Sequence, residues 1–266
     1  MVERGHPEGW AGGIQGETVR STTMERSEKQ KLLLQGAEHW NQWRDSEGHA
    51  DKELPEPGLE EIDLTEAVLG GVNLARAHLE GAIFRGAYLN RASLRESRLE
   101  RANLAETYLK SADLSGAHLV RASLNDAYLG RANLEGAHLE GAELRDANLR
   151  VANLRDAVLE DANLEGAYLK DADLRGARLR CANLGGAKLA SAILERTVLR
   201  EADLRHADLR HADLRDADLR TANLRDADLR HARLEGANLE GADLEGARLE
   251  AAILRGARLT GAKLRI

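Results

Sequence analysis

From Leu64 to Leu264 every fifth residue is leucine, with Phe84 the one substitution. Leu59 extends the register one step back. Two residues before each position from Leu64 to Leu264 stands alanine, replaced only at Ile62, Val72, Ser97, Thr107 and Thr197. The unit reads Ala-(Asp/Asn)-Leu-x-x, as in Ala-Asn-Leu-Glu-Gly at 132–136. A helix cannot use this pattern. Five residues turn it by about 500°, about 140° net, so the leucines would scatter around the axis. An extended segment can use it, because Ala and Leu two apart point to the same side and the residue between them points away. The two remaining positions favour Gly, Asp, Arg and Glu, which suit a corner. The pattern therefore predicts short straight sides joined by corners, with Leu and Ala inside.

The period of a full coil is legible from the outward positions. The four tyrosines, Tyr88, Tyr108, Tyr128 and Tyr168, each precede a Leu and are spaced by 20, 20 and 40 residues. A four-sided coil of 20 residues puts them in one ladder with a gap at Asn148. His118 and His138 then stack on the opposite side, with His78 below them. The other two faces prefer short polar groups, such as Asn103, Asn163, Asn183 and Asp203 on one and Asp113, Asn133, Asn153 and Asp173 on the other. Ten coils at about 4.8 Å each make a rod about 50 Å long. The unit resembles the pentapeptide-repeat family, over roughly 208 of 266 residues. The resemblance implies an all-β solenoid, a right-handed four-sided parallel β-helix. The Trp40-Asn41-Gln42-Trp43-Arg44 segment is similar to the helical lead-in of some bacterial members.

Residues 1–58 are different in kind. They hold all three Pro, all three Trp and 8 of the 25 Gly, and they end in the turn-forming Pro55-Glu56-Pro57-Gly58. Residues 1–22 read as a disordered tail and 23–58 as a helical cap and linker, leaving 59–266 to the repeats. Leu33, Ala37, Trp40 and Arg44 follow i, i+4, i+7, i+11, with Leu32, Gly36 and Trp43 beside them, predicting a helix over about 23–47. Its apolar face, Leu33, Ala37, Trp40 and Trp43, is expected to cover the first coil, which otherwise exposes leucines and unpaired edges.

Composition excludes several function classes. The net charge is −7, so there is no bulk basic footprint and no direct nucleic-acid binding is expected. The single cysteine, Cys181, excludes an internal disulfide framework. The longest aliphatic run is Leu32-Leu33-Leu34 and the opening residues carry no apolar core of a leader, so a cytoplasmic protein without a membrane span is expected. Asp and Asn before Leu are read as turn-amide acceptors, because the Gly-Gly-x-Gly-x-Asp unit of calcium solenoids is absent. His211 and His231 stack at a corner beside His206, but no third ligand completes a metal site. Cys181 has Arg178 and Arg180 nearby and no evident base, which reads as a free surface thiol. No nucleophile–base–orienter set emerges, so neither catalysis nor a cofactor is expected.

The interaction candidates are the tyrosine ladder, Tyr88, Tyr108, Tyr128 and Tyr168, and one edge carrying Glu80, Glu100, Glu140 and Glu160. Val120 interrupts that edge, and it turns basic at Arg180, Arg200 and Arg220. The first functional reading is a non-enzymatic interaction scaffold, a stiff rod presenting flat faces to a protein partner that the sequence does not name. The alternative, implied by the family resemblance, is a DNA mimic that protects a type II topoisomerase. The repeat region counts 34 acids against 31 bases and has no interrupting loop, and both facts weigh against mimicry. The last coil carries Leu249, Leu254, Leu259 and Leu264, guarded only by Arg255, Arg258, Lys263 and Arg265, so a homodimer through this end is expected.

Overall fold

The computed structural model describes residues 26–36, 38–40, 42 and 58–264. The expected tail over 1–22, and the expected cap residues Ala37 and Trp43, lie outside these residues.

Each repeat closes on itself before it meets a neighbour. The amide of the Ala position donates to the carbonyl of the Leu three residues earlier, as from Ile62 to Leu59 at 3.2 Å. The residue preceding each such amide has positive φ at every fifth position, from Glu61 (54°) to Gly261 (71°). This is the signature of a type II turn, whose third residue must be left-handed. Asp or Asn before Leu adds an acceptor, as where the Ala105 amide donates to Asn103 Oδ1 at 3.1 Å. The corner is thus built from one backbone bond and one side-chain bond, both local.

Successive coils pair in parallel, residue i with residue i+20, from Gly58↔His78 to Asp243↔Lys263. The Tyr88 amide donates back to Ala67 O at 2.9 Å, and Tyr88 O accepts from the Leu69 amide at 2.8 Å. This corrects the expectation of straight strand sides. Among the described residues no strand forms, because only one residue per side is bridged before the next corner turns the chain. The four-sided, 20-residue coil is nonetheless the repeating unit, and about ten coils are stacked.

The Leu and Ala columns fill the interior, almost all at 0–2% exposure as far as Leu244. Where Thr replaces Ala, the hydroxyl needs a partner in that dry core. Thr107 Oγ1 donates to Phe84 O and Thr197 Oγ1 to Leu174 O, each at 2.9 Å.

The predicted N-terminal helix is broken at Gly36, with residues 38–40 and 42 helical again beyond it. Helix α1 runs Arg26–Leu34, and Gly36 at φ 109° ends it, its amide bonded to Leu33 O at 2.9 Å. A left-handed glycine after the last turn is a common helix terminator. Leu33 and Trp40 are buried in the same apolar cluster as the coil leucines. Gln30 Nε2 donates to Asp63 O at 3.1 Å and Trp40 Nε1 to Asn73 O at 2.8 Å. In later coils the equivalent carbonyl accepts the amide of a Leu, or of Phe84, from the coil before it, and the first coil has no such neighbour.

Candidate interaction surface

Tyr88, Tyr108 and Tyr128 occupy the outward position of one face in three consecutive coils. Their rings stack at 4.7 Å between centroids with interplanar angles of 2°. The stacking follows from the coil rise, which sets parallel side chains one sheet spacing apart. Tyr168 is on the same ladder beyond Asn148, and the Arg150 guanidinium lies over its ring at 5.3 Å. Tyr88 and Tyr128 are 44% and 46% exposed, so the row is a rigid aromatic strip with accessible edges. The smaller Asn148 opens a groove of about 420 Å³ lined by Tyr108, Tyr128, Asn148 and Arg150 among others.

The glutamate edge is paired instead of free. Glu80 meets Arg98 at 2.9 Å, Glu140 meets His138 at 3.5 Å and Glu160 meets Arg178 at 2.6 Å. Glu100 is 3.9 Å from the same Arg98. The second carboxylate oxygens of Glu80, Glu100 and Glu140 are turned away from solvent.

Histidines stack where the 20-residue period places them, His118 with His138 at 4.9 Å and His211 with His231 at 4.8 Å. One grouping escaped the sequence reading. Glu60, His78 and Glu80 place ligand-type atoms within 4.8 Å of one another. The signal was available, since residues i, i+18 and i+20 meet wherever a face residue adjoins its own corner column. The His78 ring lies 3.6 Å from Glu60, and Arg98 pairs with Glu80 at 2.9 Å, so Glu80 is already held by an arginine. Cys181 is 3.6 Å from Glu201, and desolvation together with that carboxylate pushes its thiol up, away from the thiolate.

Farther along, aspartate and arginine form a belt around the rod. Arg205, Arg210, Arg215, Arg220 and Arg230 each grip the aspartate two residues earlier, as in Arg210–Asp208 at 2.7 Å and Arg215–Asp213 at 2.6 Å. The hydrogen bond from Arg230 holds the Asp228 carboxyl down at about 2. These pairs are internal to each repeat, so the belt offers little free charge to a partner.

No curated protein matches the chain significantly. Among solved structures, the chain is similar to HetL, a pentapeptide-repeat protein involved in heterocyst differentiation regulation in the cyanobacterium Nostoc. That match is 37% identical, covers 78% of this chain and 91% of HetL, and has a TM-score of 0.52. A weaker likeness is to QnrB1, a plasmid-mediated fluoroquinolone resistance protein, at 21% identity over 67% of this chain and 87% of that one, with a TM-score of 0.44. A shorter one is to Rfr23 from the cyanobacterium Cyanothece, 38% identical over 37% of this chain and 64% of that one, with a TM-score of 0.22. The pentapeptide-repeat model matches in eight copies spread over residues 62–220 and 222–261. With the repeating Ala-x-Leu interior, the four bridges per coil and this match in hand, the chain belongs to the pentapeptide-repeat family and folds as its right-handed β-helix solenoid.

Proposed function

We propose that the chain is a non-enzymatic scaffold that docks a protein partner on its tyrosine face and acts in the cytoplasm. The observation that carries this reading is the stacked Tyr88–Tyr108–Tyr128 row, exposed at its edges and held rigid by the coil rise. Tyrosine offers large contact area at little conformational cost and is enriched among the residues that dominate interfaces. HetL's association with a regulatory process is in keeping with such a role. A second copy meeting the open C-terminal coil is the homotypic partner we propose. Leu249, Leu254 and Leu259 there are only partly buried, and Leu264 is 44% exposed.

The topoisomerase-protecting alternative is the weaker reading. A DNA mimic needs a continuous run of unpaired acidic charge, whereas Glu80 and Glu160 each have an arginine partner. A supercoiling assay with a type II topoisomerase and its poison tests it, and protection at stoichiometric excess would restore it. The scaffold reading is tested by affinity capture from the native cell. A protein held by the natural chain and lost with a Tyr88→Ser, Tyr108→Ser, Tyr128→Ser variant of unchanged circular dichroism supports it. Identical capture by both would sink it.

A further inference from the structure

One corner of the rod carries a single sign of charge. Beside the tyrosine face, the two corner positions of successive coils read Gly70-Gly71, Asn90-Arg91, Lys110-Ser111, Gly130-Arg131 and Arg150-Val151. No acidic residue occurs on this corner until Asp171. The other three corners mix signs over the same coils, for example Arg85 with Glu106, Arg76 with Glu96, and Glu100 with Arg101. Arg91, Lys110, Arg131 and Arg150 are all exposed, one cation per coil and alternating between the two corner positions. Most of the arginines elsewhere on the rod are held by carboxylates, but Arg91, Lys110 and Arg131 reach none among the described residues. Arg150 rests on the Tyr168 ring. Lys110, Arg131 and Arg150 line the groove at Asn148 together with Asn90 and Gly130, and Arg91 lines an adjoining groove with Asn90, Lys110, Ser111 and Arg131.

We propose that this corner docks an extended acidic segment of the scaffold's protein partner, laid along the rod axis. The inference rests on the scaffold reading and names the chemistry of the partner. Unpaired guanidinium groups are the natural receptors for carboxylates, which they bind through two parallel hydrogen bonds. The missing side chain at Gly130 leaves room for a peptide backbone between Lys110 and Arg150. The adjoining Tyr108 and Tyr128 supply an aromatic wall for the apolar stems of such a segment. Single-stranded nucleic acid fits less well. Bases need open ring faces, and within the row the rings cover one another, leaving only the outer faces of Tyr88 and Tyr128. A net charge of −7 also repels a long polyanion, whereas a short acidic peptide meets mainly the local field.

The test is fluorescence anisotropy of the full chain with labelled oligoglutamate and, in parallel, labelled oligothymidylate, at low and at physiological salt. Salt-sensitive oligoglutamate binding is expected, weakened about tenfold or more by Arg91→Glu with Arg131→Glu. The control pair Arg101→Glu with Arg121→Glu changes net charge equally on a different corner and is expected to cost about threefold or less. Lys110→Ala, a milder change, should lose part of the affinity with an unchanged thermal transition. Equal losses in the two double variants, absence of binding, or tighter binding of oligothymidylate through the same residues would each overturn the proposal. A cellular partner lost with the tyrosine variant but indifferent to Arg91→Glu with Arg131→Glu would leave the scaffold reading standing and remove the acidic segment.

Discussion

Val151 sits at φ 60°, with its branched side chain 52% exposed on a corner. The left-handed region costs an L-residue roughly 1–2 kcal/mol, most for a branched one, and a half-exposed side chain recovers little of it by packing. Many other repeats place Gly at the same position, as at Gly136, Gly141 and Gly166, or use Asp, as at Asp146 and Asp156. Val151→Gly is therefore expected to raise stability by about 1 kcal/mol, read as a shifted denaturation midpoint without a change in slope. A lower midpoint would mean that the Val151 side chain makes a contact worth more than the strain. At Thr107 the opposite logic holds, since the hydroxyl bonded to Phe84 O is what makes a polar group tolerable at 0% exposure.

At the scale of elements, the segment from α1 to Trp40 is too short to be helical alone, so packing on the first coil must stabilise it. Trp40 is fully buried and its indole donates to Asn73 O. Trp40→Ala should cost about 3–5 kcal/mol and promote aggregation from the uncovered coil. A chemical-denaturation midpoint equal to that of the natural chain would remove Trp40 from the cover. The aspartate–arginine belt makes a pH prediction. Hydrogen bonds from Arg205, Arg210, Arg215, Arg220 and Arg230 hold Asp203, Asp208, Asp213, Asp218 and Asp228 below the ordinary carboxylate range. A depressed folded value contributes stability that is present above the unfolded value and lost as pH falls through the folded one. For Asp228 that window runs from 3.8 down to about 2. Thermal melts across it should show falling stability, and Asp228→Asn should flatten the slope. An unchanged slope would mean that the pair is solvent-screened to no effect.

For the whole molecule, the two ends differ. The first coil is met by Leu33, Trp40 and Gln30, while the last described coil leaves Leu254, Leu259 and Leu264 partly open. A self-complementary end-to-end pair would close that surface without growing into a fibre. Light scattering over a concentration series is expected to show a dimer that Leu264→Asp dissociates. A monomer mass persisting at high concentration would sink the pairing.

Much of the architecture and part of the candidate surface were legible before any coordinates, for one reason. In a solenoid, contacts fall at a constant separation along the chain, so period is geometry. Leucine every fifth residue determined the interior, and tyrosines 20 apart determined the ladder that stacks at 4.7 Å. What only the tertiary structure decided concerns groups whose partners depend on rotamer or on segments outside the repeat. Whether Arg98 is tied to Glu80 while Arg91 reaches no carboxylate among the described residues does not follow from spacing, because a long side chain can reach either way across coils. Sequence marked the glutamate edge as one candidate strip, and only the structure shows that Arg98 and Arg178 hold Glu80 and Glu160. Left-handed Gly36 breaks the helical pattern, which resumes at 38–40, and Trp40 and Gln30 meet Asn73 and Asp63 across 33 residues of chain. The strand that alternation suggested never lengthens beyond one bridge, since a left-handed corner residue every five positions turns the chain first.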